Sequence, residues 1–212
     1  MSILQEISEA LQKGKAKVVT ELVQKALDEG QNPEDILNSG LLTGMDIIGE
    51  KFKNNEVYVP EVLIAARAMN SGAAILKPVL AKSGVKPIGR VALGTVKGDL
   101  HDIGKNLVRM MLEGKGIEVI DLGVNVSAEK FYEAYEKEGV DIVACSALLT
   151  TTMNEMKNVI EYFEEKGVRD QVVFMVGGAP VTESFCKSIG ADHYAADAAT
   201  AADVAKQVLI GA

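Results

Sequence analysis

From residue 90 onward the chain repeats one unit five times, a short apolar run followed by a stretch of helical periodicity. The runs span residues 90–94, 117–121, 141–146 and 172–177, with a weaker one at His193–Ala195. The helical stretches are Ile103–Glu113, Ala128–Glu138, 153–166, 182–189 and about 199–210. Runs that are apolar throughout, rather than at alternate positions, belong to strands buried on both faces. Helices inserted between such strands force them to run parallel. The pattern predicts a five-stranded parallel sheet, and we expect the order 2-1-3-4-5, whose switch point lies beside the first strand.

Residues 1 to about 82 have a different texture. Ile3, Leu4, Ile7 and Leu11, then Val18, Val19, Leu22, Val23, Ala26 and Leu27, recur at three-to-four spacing, which makes amphipathic helices. Gly30 closes one segment and Asn32-Pro33-Glu34 opens the next. Leu37, Leu41, Met45, Ile48 and Phe52 continue the stripe to a break at Lys53-Asn54-Asn55. A last helix is expected from about Pro60 to Leu80. Four helices with short connections predict an all-α four-helix bundle cap, followed by a flavodoxin-like (Rossmann-like) α/β domain. The polar segment 81–87, with its Gly and Pro, is the expected linker, giving domains 1–84 and 88–212.

The 212 residues suffice for two cores. A net charge of −8 argues against nucleic acid and against anionic membrane surfaces, both of which reward clustered Lys and Arg. No uninterrupted apolar run of membrane length stands out, and Met1-Ser-Ile-Leu-Gln-Glu is no basic leader, so a cytoplasmic location is expected. Cys145 and Cys186 lack metal or redox spacing and read as reduced and buried.

The candidate chemistry sits at 94–108, where Asp99-x-His101-x-x-Gly104 follows the first apolar run and precedes a helix. A histidine on that turn lies where open α/β sheets bind ligands. A neutral imidazole can give one ring nitrogen to a metal while its other N–H bonds a carboxylate, and Asp99 is two residues away. The same residues have a plainer reading: Asp99 as a helix cap, Gly98 and Gly104 as turn and packing glycines. Ser146-Ala147-Leu148 and Gly177-Gly178-Ala179 follow the third and fourth runs and carry the same two readings. In the expected topology all of them share one rim of one sheet, where a ligand could approach closely.

In this setting Asp99-x-His101-x-x-Gly104 resembles the cobalamin-binding domain shared by cobalamin-dependent methionine synthase and the small corrinoid proteins of methyltransferase systems. The resemblance implies one cobalamin or related corrinoid per chain, with Gly98, Asp99, Leu100, His101 and Asp102 in the loop beneath the corrin and Gly104 as a further cofactor-binding position beside it. His101 matches the lower axial ligand to cobalt, Asp99 the carboxylate on its distal nitrogen, and Thr152 the hydroxyl that extends the relay. Ser146 and Thr150 match positions that contact the nucleotide base or the loop around it, with Leu148 a further cofactor-binding position after the third strand; Gly177 and Gly178 match the lining of the tail slot, with Ala198 near its far end.

The first half adds Gly44-Met45-x-x-x-Gly49-x-x-Phe52 and Tyr58-Val59-Pro60-Glu61-Val62-Leu63-x-x-Ala66-x-x-Met69, which resemble the helical cap of the same family. Tyr58 falls where the family places an aromatic side chain over the methyl group; Met45, Phe52 and Met69 read as bundle core. The implied function is a methyl carrier, inactive without partners. It would accept methyl on Co(I) from a substrate-specific methyltransferase and deliver it to a second methyltransferase whose acceptor is coenzyme M or tetrahydrofolate, with a reductive activase as a further partner. Such a cap must move to admit them, and 84–87 is the expected hinge. The alternatives are a cobalamin sensor, disfavoured by the absence of a basic DNA-binding segment, and a flavin-binding domain, which has no use for the cap. His193 reads as structural.

Overall fold

The structure is a computed structural model that describes residues 2–83 and 86–211. It divides into two compact units, Met1–Pro87 with Gly114–Gly116, and Ile88–Glu113 with Ile117–Ala212. The expected hinge begins at Gly84, and Gly84 and Val85 lie outside the described residues.

In the first unit α1 (Ile3–Gln12) starts from Ser2, whose hydroxyl accepts from Gln5 N while the Gln5 side chain accepts from Ser2 N. This reciprocal cap satisfies two otherwise orphaned donors. After α2 (Ala16–Asp28), Asn32 caps a continuous helical stretch made of α3 (Pro33–Asp35), a π-helical segment Ile36–Leu42, and α4 (Thr43–Lys53). The wider π winding shifts the buried stripe. Ile36 and Leu41 are fully buried, five residues apart, while Leu37, where the sequence stripe was expected to begin, is only half-buried. The last helix, α5 (Val59–Ser83), packs on α2 and α4 through Val62, Ala65, Ala66, Met69 and Leu76. Gly72 permits the close approach: a Cβ there would lie 2.9 Å from Val19 and 3.0 Å from Leu41.

One sequence expectation needs amending. The window Val59–Leu80 within α5 is long and apolar enough, by length and composition, to cross a membrane. Its inward side chains, 39% of the apolar window, form the bundle core, while Leu63, Ile64 and Val79 stand exposed.

The second unit is a parallel sheet of order β2-β1-β3-β4-β5, formed by β1 (Arg90–Val96), β2 (Glu118–Val126), β3 (Ile142–Ser146), β4 (Val173–Gly177) and β5 (His193–Ala195). Between them lie α6 (Ile103–Glu113), α7 (Ala128–Glu138), α8 (Asn154–Glu165), a 3-10 turn at Arg169–Gln171, α9 (Glu183–Ser188) and finally α10 (Ala198–Ile210). β1 is buried from Val91 to Val96, as continuous apolarity requires. β2, at an edge, runs five residues past the sequence-expected end. The pairing with β1 shifts register between Leu93 and Gly94 and again between Gly94 and Val96, and each shift adds one residue on the β2 side. The core on one face centres on Phe131, Phe163 and Phe174, the last two meeting edge-to-face at 5.0 Å.

Candidate cofactor site at the strand ends

β1 ends at Val96 and the chain turns through Gly98, whose φ of +80° suits a residue without Cβ. Asp99 follows, fully buried. Its Oδ1 accepts from His101 N at 3.1 Å and lies 2.7 Å from His101 Nδ1. Its Oδ2 accepts from Leu148 N at 2.8 Å, Leu149 N at 3.1 Å and Thr152 Oγ1 at 2.9 Å. Asp99 therefore does not cap α6; it closes a tight turn onto His101 and ties that turn to the loop after β3. Burial of the carboxyl opposes its ionisation, but the hydrogen bonds from Leu148, from His101 and from Thr152 outweigh it and hold the group far below the usual carboxylate range. An ionised carboxylate can only accept, so Nδ1 of a neutral His101 carries the ring hydrogen and Nε2 keeps its lone pair. The imidazole is about half exposed, with 51% of its side-chain surface open.

The loop is held from other sides as well. Thr95, fully buried in β1, donates its hydroxyl to His101 O at 2.8 Å. Asn125 of β2 accepts from Gly98 N at 2.8 Å and donates its own N–H to Asp99 O at 3.0 Å. Asp102 accepts from the Asn106 side chain at 3.2 Å. Lys105, buried in α6, bonds Asn106 Oδ1 at 2.9 Å and pairs with Asp121 of β2. Burial would raise the Asp121 carboxyl, but Lys105, the Gly123 amide and Arg109 lower it on balance.

The structure thus brings Asp99, His101 and Thr152 together. Around them, Leu100 is 70% exposed, Ile103 78%, and Leu148 and Leu149 are also open to solvent. Apolar side chains left this exposed beside a free ring nitrogen suit a large apolar ligand face. Gly104 points the same way: its φ lies outside the left-handed region and a Cβ there would meet no protein atom within 4 Å, so neither turn geometry nor packing explains the glycine. Gly178, with φ +130°, is explained by the protein itself, since a Cβ would fall 1.9 Å from Ala147 O; one at Gly177 would fall 3.1 Å from Ala195 O. Ser146 pairs with both Thr95 and Gly177 in the sheet, Thr150 is exposed, and Ala198 is buried in the first turn of α10. Tyr58 is 64% exposed in the helical unit, whereas Met45 and Met69 are core and Phe52 is half-buried.

Among the described residues no cluster of three or more His, Cys, Asp or Glu could hold a bare metal ion. A single imidazole supplies a single bond, which suits a metal whose other positions are filled by its own macrocycle. The donor set and the open apolar rim fit a corrinoid. Cys145 has no part in this chemistry: burial pushes its thiol up to about 12.

Residues 89–205 match a family model described as a B12 binding domain, and residues 3–77 match a second model of the same description. The chain is 42% identical over 212 residues to a corrinoid protein of Desulfitobacterium hafniense, covering 99% of this chain and 98% of that one. The chain belongs to the corrinoid proteins. Another member, the dimethylamine corrinoid protein of Methanosarcina barkeri, is 42% identical over 98% of this chain and 97% of its own. The methanol:cobalamin methyltransferase complex MtaBC of Methanosarcina barkeri contains a chain that superposes with a TM-score of 0.88 at 32% identity, covering 99% of this corrinoid protein and 80% of that chain. A cobalamin-binding protein of Desulfitobacterium hafniense superposes with a TM-score of 0.79 at 28% identity, covering 97% and 98%. The expected helical cap followed by a five-stranded parallel domain is the architecture of this corrinoid protein, and its cofactor is a cobalamin or related corrinoid.

Asn125, Thr95, Lys105 and Leu149 were not among the sequence candidates. The signal for Asn125 was an asparagine after Gly123 at the end of an apolar strand. Leu149 acts through its backbone amide, which leaves no mark on the sequence.

Proposed function

We propose that this protein is the methyl carrier of a corrinoid-dependent methyltransferase system. His101 Nε2 would hold the cobalt of the corrinoid, and Gly98, Leu100 and Asp102, with Gly104 just beyond them, would form the loop against the macrocycle. Ser146, Leu148, Thr150, Gly177, Gly178 and Ala198 serve the nucleotide tail. The observation that carries the reading is the 2.7 Å contact between His101 Nδ1 and a buried, ionised Asp99, which leaves Nε2 free on the open side of the loop. When bound, the corrinoid supplies a cobalt centre that can take up a methyl group and give it away.

The protein's own residues set the imidazole for that centre. Asp99 fixes the ring tautomer and orientation, which leaves the Nε2 lone pair outward. Thr152 Oγ1 lies 2.9 Å from both Asp99 Oδ2 and Leu149 O, and it has one hydrogen to give. With Asp99 ionised, the hydroxyl donates to the carboxylate. Asp99 thus stays ionised beneath the ring, so a proton that arrives as Nε2 is released is held by the imidazole of the His101–Asp99 pair rather than by the carboxylate.

The carrier reading implies two methyltransferase partners, one specific for the methyl donor and one passing methyl to coenzyme M or tetrahydrofolate. It also implies a reductive activase and a cytoplasmic location. The similarity to corrinoid proteins of methylamine and methanol systems over nearly the whole chain supports it over a cobalamin sensor. Reconstitution with hydroxocobalamin and 15N-labelled histidine tests it. The Co(II) signal should show hyperfine coupling that changes with the histidine label and disappears in His101→Ala. Coupling from the cofactor's own base instead would overturn the reading.

A further inference from the structure

We propose that Asn125 is a positioning residue that sets the His101 loop from the neighbouring strand; the proposal rests on the axial-ligand reading of His101. Asn125 has a φ of 54°, left-handed backbone that asparagine tolerates better than most residues. In that conformation it grips the loop twice, its Oδ1 accepting from Gly98 N at 2.8 Å and its N–H donating to Asp99 O at 3.0 Å. These two groups flank the backbone that aims the Asp99 side chain. Gly98, at φ +80°, is the most freely rotating point of the loop, so a restraint there is where one is needed. Thr95 holds the far end through His101 O, and the loop after β3 holds the carboxylate. Asn125 holds the near end. Without it, rotation about Gly98 would carry Asp99 Oδ1 away from His101 Nδ1 and blur the direction of Nε2.

The register of the sheet brings Asn125 to this place. The two shifts around Gly94 add residues only to β2, so that Val126 pairs with Val96 and Asn125 stands beside the last residues of β1, within reach of the turn that follows. The side chain meets Gly98 because of where the strand has been lengthened.

Asn125→Gly separates the side-chain bond from backbone strain, since glycine keeps the amide and accepts the positive φ. Asn125→Asp keeps an acceptor oxygen and tolerance of that φ. In the full-length protein without cofactor, Asn125→Gly should speed amide hydrogen exchange at Gly98 by about five-fold, the factor one net hydrogen bond is worth. It should weaken hydroxocobalamin binding by a similar factor and lower the share of the Co(II) signal coupled to histidine nitrogen. Asn125→Asp should restore all three. A merely structural role would lower the unfolding midpoint and leave the histidine-coupled share unchanged, which would overturn the proposal. So would wild-type exchange at Gly98 in Asn125→Gly, or an Asn125→Asp protein that behaves like Asn125→Gly. Absence of histidine coupling in the wild type would overturn the axial-ligand reading itself, and this proposal with it.

Discussion

Replacing Asp99 with Asn should change both the stability of the protein and the position of one hydrogen on His101. The carboxylate is fully buried and faces five donors, two on Oδ1 and three on Oδ2. An amide offers a single oxygen. Turned toward His101, it would aim its NH2 at the amides of Leu148 and Leu149, so the oxygen will face those amides and Thr152 instead. The NH2 then meets His101. His101 N–H loses its acceptor, at a cost of about 1–3 kcal/mol, and the three remaining bonds lose charge assistance worth about 1 kcal/mol each. Relief from burying a charge offsets part of this, leaving a net loss of about 2–4 kcal/mol. The ring responds as well: Nδ1 must now accept, so the hydrogen moves to Nε2 and the lone pair meant for cobalt is gone. Histidine 15N spectra of the cofactor-free protein at about pH 8, above the ordinary imidazole range, read this directly. Wild type should show the Nδ1–H form and Asp99→Asn the Nε2–H form, with urea unfolding giving the energy. An Asp99→Asn protein that keeps the Nδ1–H form and loses less than about 1 kcal/mol would refute the reasoning.

Asp99 should also stay ionised in moderate acid. Because its folded value lies below the unfolded one of about 3.9, its contribution to stability is fully present above that pH and is lost only as pH falls through the lower folded value. Its carboxyl 13C signal should therefore not move between pH 7 and pH 3, and a midpoint near 4 would contradict the hydrogen-bond count. Gly178→Ala places a Cβ 1.9 Å from Ala147 O at a φ of +130° and should cost about 3 kcal/mol in urea unfolding, with weaker hydroxocobalamin binding. Lys105→Met removes a buried cation from Asp121, which keeps Arg109 at 3.2 Å and the Gly123 amide at 2.9 Å. A loss of about 2–4 kcal/mol is expected by the same assay, and an unchanged midpoint would show the pair to be dispensable.

Much of the architecture could be read from the chain because its signals are local and periodic. Runs such as Val91-Ala92-Leu93 are apolar at every position, and in the structure they are buried on both faces. What escaped depended on departures from regular winding. The second apolar run was expected to stop at Asp121, whereas register shifts let β2 absorb Gly123 and Asn125 and continue to Val126. The π segment moved burial from Leu37 to Ile36 for a similar reason: a stripe drawn at 3.6 residues per turn cannot follow a wider coil. At the site, the motif and the family resemblance pointed to Asp99, His101 and Thr152, which lie up to 53 residues apart and meet on one carboxylate. The amides of Leu148 and Leu149 complete that carboxylate's shell and could not have been chosen from side-chain identity. Lys105 sits in an amphipathic helix where a lysine ordinarily faces water, and only the fold reveals Asp121 beside it.

The lengthened edge strand turns residue counting into chemistry. Delete one residue between Asp121 and Asn125, and Val126 would arrive where the asparagine now stands: a branched hydrocarbon at a backbone angle it resists, with no oxygen to offer. Insert one, and Val124 would take the place with the same result. The edge of the sheet thus tolerates many side-chain exchanges but not a change in length, and the reach of an imidazole on the adjacent strand's loop is governed by how many residues its neighbour spends getting there.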